Sequence, residues 1–95
     1  MTRDDAIAAI GEVIQQVQGA SGYESPDITA ELCPLRDLKG FDSMIGVVAT
    51  GFVAAMVGHE IPSDVNLFVD NNRPLTVAEA ADRLCATVGR TDAET

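Results

Sequence analysis

The sequence predicts an all-α protein, a bundle of four helices with a short third helix and a long first loop. Apolar residues recur at three- and four-residue spacing in separate stretches, which is the pattern of amphipathic helices. No stretch alternates between apolar and polar residues over a useful length, so a sheet is not expected. Only 4% of the residues are aromatic, so the core must be largely aliphatic, which suits small, closely packed helices.

Length and charge limit the possible functions. The chain has 95 residues, enough for one domain, which we expect over residues 1–89 with a flexible tail over 90–95. Its net charge of −9 disfavours nucleic acid and anionic membrane surfaces and favours basic protein surfaces. The N-terminus lacks the apolar stretch of a signal peptide, so a cytoplasmic location is expected. Cys33 and Cys85 lack metal-site spacing, and we interpret them as free thiols.

The first helix is predicted over residues 2–18, with Thr2 as its cap and Gly19 as its end. Residues 19–42 then form a long loop held by apolar anchors, with a short turn near residues 28–32. The anchors are Tyr23, Ile28, Leu32, Leu35 and Leu38.

The second helix is predicted over residues 43–59, with its end at Ile61-Pro62. It is apolar but shorter than the roughly 20 residues of a membrane span, so a buried or partner-facing helix is the better interpretation. Ser63 can cap a short third helix over residues 64–69, and residues 70–74 form a turn. The fourth helix begins at Thr76 and ends at Gly89.

The sequence offers no enzyme site of its own. The one histidine, His59, lies sixteen positions after Ser43, roughly 24 Å away along a continuous helix, so the two cannot share a proton within one chain. The Asp- and Asn-rich residues 64–66 and 70–72 lack the glycine and glutamate of a calcium loop. A phosphate-binding glycine loop is also missing.

Ser43 has two interpretations from its neighbours alone. An Asp-Ser pair before an apolar helix is an ordinary N-terminal cap. Alternatively, a serine at a helix start is exposed to a modifying enzyme, and a phosphodiester placed there lies beside unpaired backbone N–H groups.

Residues 37–44 read Asp-Leu-Lys-Gly-Phe-Asp-Ser-Met, which resembles the acyl carrier protein motif Asp-Leu-Gly-x-Asp-Ser-Leu. The spacing to Ile-Pro at residues 61–62 also matches that family without a gap. Ile-Thr at residues 28–29 resembles the start of the family's loop segment, and residues 76–80 resemble the start of its last helix. The resemblance covers roughly residues 7–84, and it favours the interpretation of Ser43 as a modified residue.

The resemblance implies an acyl-carrier-protein-like bundle with 4'-phosphopantetheine attached covalently to Ser43. Asp42 and Met44 match the motif residues on either side of that serine. A phosphopantetheinyl transferase would install the arm from coenzyme A with magnesium, and cargo would be held as thioesters on its thiol. The expected partners are this transferase and acyl-activating ligase, ketosynthase or acyltransferase enzymes. The protein itself would catalyse nothing, and no metal ligands are expected in it.

Three departures from the family pattern indicate a specialised carrier for fatty-acid-like, polyketide or other biosynthesis. Lys39 lengthens the loop before the serine, and the segment between Pro62 and Thr76 is longer than in compact members. The second helix also lacks the family's acidic partner-binding residues. If Val47, Val53 and Val57 point inward, it presents an apolar outer face instead, unless other parts of the chain cover it. The predicted partner-binding residues are Met44, Ile45, Val48, Phe52, Ala55 and Met56.

Two other functions remain open at this point. One is an aminoacyl or peptidyl carrier of the same fold. The other is a helical interaction module that never carries an arm. The apolar outer face fits either a partner surface or self-association, so the protein is expected to be a monomer or a weak homodimer.

Overall fold

The computed structural model describes residues 1–23, 27–62 and 65–94, with side chains described as far as residue 88. The elements are α1 (Arg3–Ala20), α2 (Pro34–Asp37), α3 (Ser43–Val57), β1 (Val69–Asp70), β2 (Arg73–Pro74) and α4 (Val77–Glu94). The prediction of a mostly helical fold with four helices is confirmed, but the short helix is the second one along the chain. A small hairpin accompanies the helices.

The helix α1 lies at the centre of the molecule and packs against both α4 and α3. Its side chains Ile10, Val13 and Ile14 are fully buried, as their helical spacing predicts. The rest of the core is mostly aliphatic, with Phe41 and Phe68 as the aromatic members of the buried cluster. The buried cluster contains Ala6, Ile10, Val13, Ile14, Val17, Phe41, Ala49, Val53, Leu67, Phe68, Val77, Ala80, Ala81 and Leu84.

The three long helices begin near their predicted positions because local side chains cap them. The Thr2 hydroxyl accepts a hydrogen bond from the backbone N–H of Asp5 at 3.1 Å, and α1 follows. Thr76 and Glu79 form a reciprocal capping box before α4, with distances of 3.0 and 3.1 Å. The predicted caps of the first and fourth helices are therefore confirmed.

The helix ends are less well predicted. The first helix continues through Gly19 to Ala20, and the residue in the left-handed region is Gly22, with φ +84°. The Tyr23 N–H then donates to the Gln18 carbonyl at 2.9 Å, as in a Schellman motif. In the same way α3 ends at Val57 rather than near Ile61-Pro62, because Gly58 adopts φ +67°. In both cases the helix stops where a glycine takes positive φ.

The long loop contains a short helix that the sequence pattern did not predict. Pro34 occupies its first position, where a missing N–H costs nothing, and the Asp37 carboxylate accepts from the Cys33 N–H at 2.9 Å. The expected turn near residues 28–32 is present, since the Leu32 N–H donates to the Thr29 carbonyl. The apolar anchors after residue 27 are partly buried against the core, as predicted: Ile28, Leu32, Leu35 and Leu38.

The predicted third helix over residues 64–69 is wrong for residues 65–69; residue 64 and its predicted cap Ser63 lie outside the described residues. Residues 65–69 instead form a turn that leads into β1. The N–H groups of Leu67 and Phe68 donate to side chains, whereas those of Val65 and Val69 donate to backbone carbonyls three residues earlier. The expectation of no sheet is also wrong, because β1 pairs antiparallel with β2. Asn71 and Asn72 make the tight turn between them with φ +49° and +65°.

The last helix continues through Gly89 to Glu94, so the predicted end at Gly89 is wrong. Near its start, the Glu79 carboxylate accepts from the Thr76 N–H and from Arg73, at 3.0 and 3.2 Å. The backbone hydrogen bond from Thr76, and next the Arg73 side chain, hold the pKa of Glu79 below its ordinary value. The flexibility of residues 90–95 stays a prediction.

Candidate functional site

Ser43 is the first residue of α3, and its side chain is exposed. The cap position before it belongs to Asp42, whose carboxylate accepts from the Ile45 N–H at 2.9 Å. The Ser43 hydroxyl makes no hydrogen bond to any residue in the part of the chain that the structure describes. The Ser43 hydroxyl is therefore accessible to a reagent, while Asp42 caps the helix. Met44, the next residue, is 74% exposed.

The loop before Ser43 is fixed from two directions. Gly40 adopts φ +75°, which favours glycine, and a Cβ there would lie 2.6 Å from the Tyr23 ring and would displace that side chain. The Gln18 side chain donates to the Lys39 carbonyl at 3.0 Å and ties the same loop to the end of α1. Phe41 then enters the core and packs edge-on against another ring, Phe68, at 5.4 Å between centroids.

Asn66 also contacts the site, and the sequence analysis did not select it. Its side-chain Nδ2 donates to the Ser43 carbonyl at 3.0 Å, and its Oδ1 accepts from the Phe68 N–H at 3.0 Å. The amide rests on α3 at Gly46, where a Cβ would lie only 2.8 Å from Oδ1. The glycine at position 46 was the one available signal, because a glycine inside a helix often marks a close neighbour.

The inner face of α3 carries a buried polar contact. The Thr50 hydroxyl donates to the Gly46 carbonyl at 2.7 Å and accepts from the Leu67 N–H at 3.1 Å. The buried residues of this helix are Gly46, Ala49, Thr50 and Val53. The segment of residues 66–68 therefore packs along α3 from its first turn to its second.

The outer face of α3 is apolar and uncovered by the described residues. Its exposed members, which we call the apolar face, are Met44, Val47, Val48, Gly51, Phe52, Ala55 and Met56. The expected inward orientation of Val53 is confirmed, and Val57 is partly buried. Val47 instead points outward, with 48% of it exposed, whereas Ile45 is partly buried against the core. The helix is rotated from the predicted orientation because Gly46 and Thr50, rather than Val47, face residues 66–68.

The hollows on the described surface include one beside α3 and one beside α1. A pocket of about 260 Å³ opens between α3 and the segment after it, lined by Val47, Thr50, Gly51, Ile61, Pro62 and Val65. Its lining is apolar except for Thr50, whose hydroxyl is already hydrogen-bonded. It begins one helical turn after Ser43. A larger, shallower hollow of about 620 Å³ between α1 and Asp27-Ile28 includes no residue of the serine site.

Other kinds of site gain no support from the geometry. Because α3 is continuous from Ser43 to Val57, roughly 22 Å of helix separates the serine from His59. Among the described residues, no three Asp, Glu, His or Cys side chains are grouped so that they could hold a metal ion. No helix in that part of the chain is long and apolar enough to cross a membrane.

Comparisons with known proteins add nothing to this geometry. The chain matches no family model, no curated protein and no solved structure.

Proposed function

We propose that the chain is an acyl carrier protein that holds acyl intermediates as thioesters on a 4'-phosphopantetheine arm attached to Ser43. The observation that carries the proposal is an exposed serine at the first residue of the helix that bears the apolar face, with a hydroxyl that bonds to none of the described residues. The motif around this serine resembles that of the carrier family, and this resemblance identifies the arm.

The local structure fits such a group. Asp42 takes the cap, so the Ser43 hydroxyl is not needed to stabilise the helix end. Asp42 takes the Ile45 N–H, but the N–H groups of Ser43 and Met44 have no intrahelical acceptor and favour an anion beside them. When bound, the arm supplies a terminal thiol that carries cargo as a thioester. The apolar pocket of about 260 Å³ next to α3 supports apolar cargo rather than a charged one.

The apolar face supports docking of partner enzymes beside the serine. Of the predicted partner-binding residues, Met44, Val48, Phe52, Ala55 and Met56 are exposed on it, and Ile45 lies at its edge. The proposed partners are the phosphopantetheinyl transferase and the ligase, ketosynthase or acyltransferase enzymes that load and use the arm. Tethering the cargo raises its effective concentration at their active sites.

Intact mass spectrometry tests the attachment. The chain is incubated with coenzyme A, Mg²⁺ and a broad-specificity phosphopantetheinyl transferase. We expect one added phosphopantetheine on the wild type, none on Ser43→Ala, and one on Ser21→Ala, a matched control at another exposed serine. A wild type that gains no mass, or a Ser43→Ala variant that still gains it, refutes the proposal.

The substrate class and a different function are tested separately. Loading of the arm by an amino-acid-activating ligase, but not by acyl-activating ones, would make the chain an aminoacyl or peptidyl carrier.

The apolar face also supports a second candidate, an interaction module that carries no arm. Ser43→Ala should then keep the full biological function of the chain, whereas a carrier should lose it with its fold intact.

A further inference from the structure

We propose that Asn66 is a positioning residue for Ser43 and that Arg83 on α4 holds it in place. The proposal rests on the proposed function, because it concerns how the serine is presented to the enzyme that modifies it. Asn66 lies outside the motif around Ser43, and a separation of 23 positions divides the two in sequence. The fold brings them into direct contact.

The side-chain amide of Asn66 matches its surroundings at both atoms. The Phe68 N–H needs an acceptor and finds Oδ1, whereas the Ser43 carbonyl needs a donor and finds Nδ2, both at 3.0 Å. These two partners fix which way the amide faces. An aspartate of the same shape could accept from Phe68 but would set a second acceptor against the carbonyl of Ser43. The site therefore needs both the donor and the acceptor of an asparagine side chain, and size alone does not explain the residue.

A glycine makes this contact possible. A Cβ at Gly46 would lie 2.8 and 2.9 Å from the two polar atoms of the Asn66 amide, closer than side chains approach. The amide therefore lies flat against the first turn of α3. The amide donates a hydrogen bond to the Ser43 carbonyl in that turn and packs against Gly46, three residues later.

The backbone of Asn66 is itself fixed by α4. The Arg83 Nη1 donates to the Asn66 carbonyl at 2.8 Å and to the Val69 carbonyl at 2.7 Å. Arg83 therefore bridges the two ends of the segment of residues 66–69. The buried ring of Phe68 packs against Phe41 and holds this segment on the core. Because α4 packs on α1, the first turn of α3 is connected to the rigid centre of the molecule.

This connection matters because helix ends fray and the Ser43 side chain has no hydrogen bond of its own among the described residues. A group transfer to the serine oxygen depends on its orientation, and a misplacement of about 1 Å can cost about a hundredfold in rate. Docking of the transferase would instead depend on the apolar face of α3, to which Asn66 does not belong. Loss of Asn66 should therefore lower kcat and leave KM nearly unchanged.

The test compares transferase kinetics of the full chain and of Asn66→Asp, with coenzyme A saturating and the carrier varied. We expect kcat to fall about tenfold or more, the equivalent of about 1.4 kcal/mol, with KM within about twofold. Asn72→Asp, the same substitution in the exposed hairpin turn, is the matched control and should keep wild-type values. Arg83→Met leaves the amide intact and should lower kcat in the same direction but less.

Modification of the wild type and the kinetics of Asn66→Asp together distinguish a failure of the proposed function from a failure of the positioning role. An unmodified wild type refutes the proposed function and the positioning role with it. A modified wild type with an equally fast Asn66→Asp, or with a change in KM alone, refutes the positioning role only. Amide hydrogen exchange needs no arm: Asn66→Asp should speed exchange at Val47, whose N–H pairs with the Ser43 carbonyl along the helix. Unchanged exchange there overturns the contact itself. If Asn66→Asp does not fold, Arg83→Met decides the outcome by the same measurements.

Discussion

The helix α3 contains two glycines for which the same substitution should have opposite effects. Replacing glycine by alanine inside a helix normally stabilises it by about 0.8–1 kcal/mol. At Gly51 a Cβ would have no atom within 4 Å, so Gly51→Ala should give the full gain. At Gly46 a Cβ would lie 2.8 Å from the Asn66 side chain, which must therefore move.

The magnitude at Gly46 follows from the hydrogen bonds that this movement breaks. Asn66 would lose its bonds to the Ser43 carbonyl and to the Phe68 N–H, each worth about 1 kcal/mol. The desolvated Phe68 N–H would add about 1–2 kcal/mol if left without a partner. Set against a gain of about 1 kcal/mol in propensity, Gly46→Ala should destabilise the fold by about 1–3 kcal/mol. The two variants should thus differ by about 2–4 kcal/mol.

Urea denaturation followed by far-ultraviolet circular dichroism measures both free energies, with equal m-values as the check on a two-state comparison. A Gly46→Ala variant as stable as Gly51→Ala would refute the reasoning. A double-mutant cycle makes the test sharper. In an Asn66→Ala background the obstruction is gone, so Gly46→Ala should become neutral or stabilising. If Gly46→Ala destabilises the fold by the same amount in the Asn66→Ala background, the loss of stability does not come from the contact with Asn66.

Three other substitutions test single contacts of the fold. Thr50→Val leaves a buried backbone N–H without its acceptor and should cost about 1–3 kcal/mol in urea denaturation, whereas Thr50→Ser should cost less; equal losses would contradict this role. Val53→Ala should cost about 2 kcal/mol because Val53 is fully buried, and Phe52→Ala, half-exposed, should cost less; the reverse order would contradict the orientation of α3. The lowered pKa of Glu79 means that its carboxylate stabilises the fold above its unfolded pKa, a contribution lost as the pH falls through its folded pKa. The difference in melting temperature between wild type and Glu79→Gln should therefore shrink as the solution is acidified, and a difference independent of pH would contradict it.

The starts of the long helices could be predicted because their signals are local. Thr2, Asp42 and Thr76 each reach a backbone N–H within three residues, so the pattern is visible in the sequence itself. The predicted position of Ser43 at a helix start depended only on such signals. The glycines near the helix ends were visible too, but which of them takes positive φ depends on how the next residues pack.

The rotation of α3 and the structure of residues 65–69 could not be predicted in this way. Both depend on contacts between distant positions, with separations of 17 positions for Thr50 and Leu67 and 23 for Asn66 and Ser43. Apolarity alone suggested that Val47 would face the core together with Val53 and Val57, but Val47 is exposed. The polar contacts at Gly46 and Thr50 decide the orientation instead, because a buried N–H must find an acceptor.

The same contacts explain why an apolar face remains on the surface. Since Gly46 and Thr50 turn inward to meet the loop, Val47 and Phe52 turn outward. That face is one side of a helix about 22 Å long and about 10 Å wide, only a few hundred Å² in area. A stable dimer buries about 800 Å² on each partner, and two copies with a net charge of −9 each repel one another. The size of the face and the charge of the chain therefore favour the proposed brief contacts with basic protein surfaces over a lasting contact between two copies.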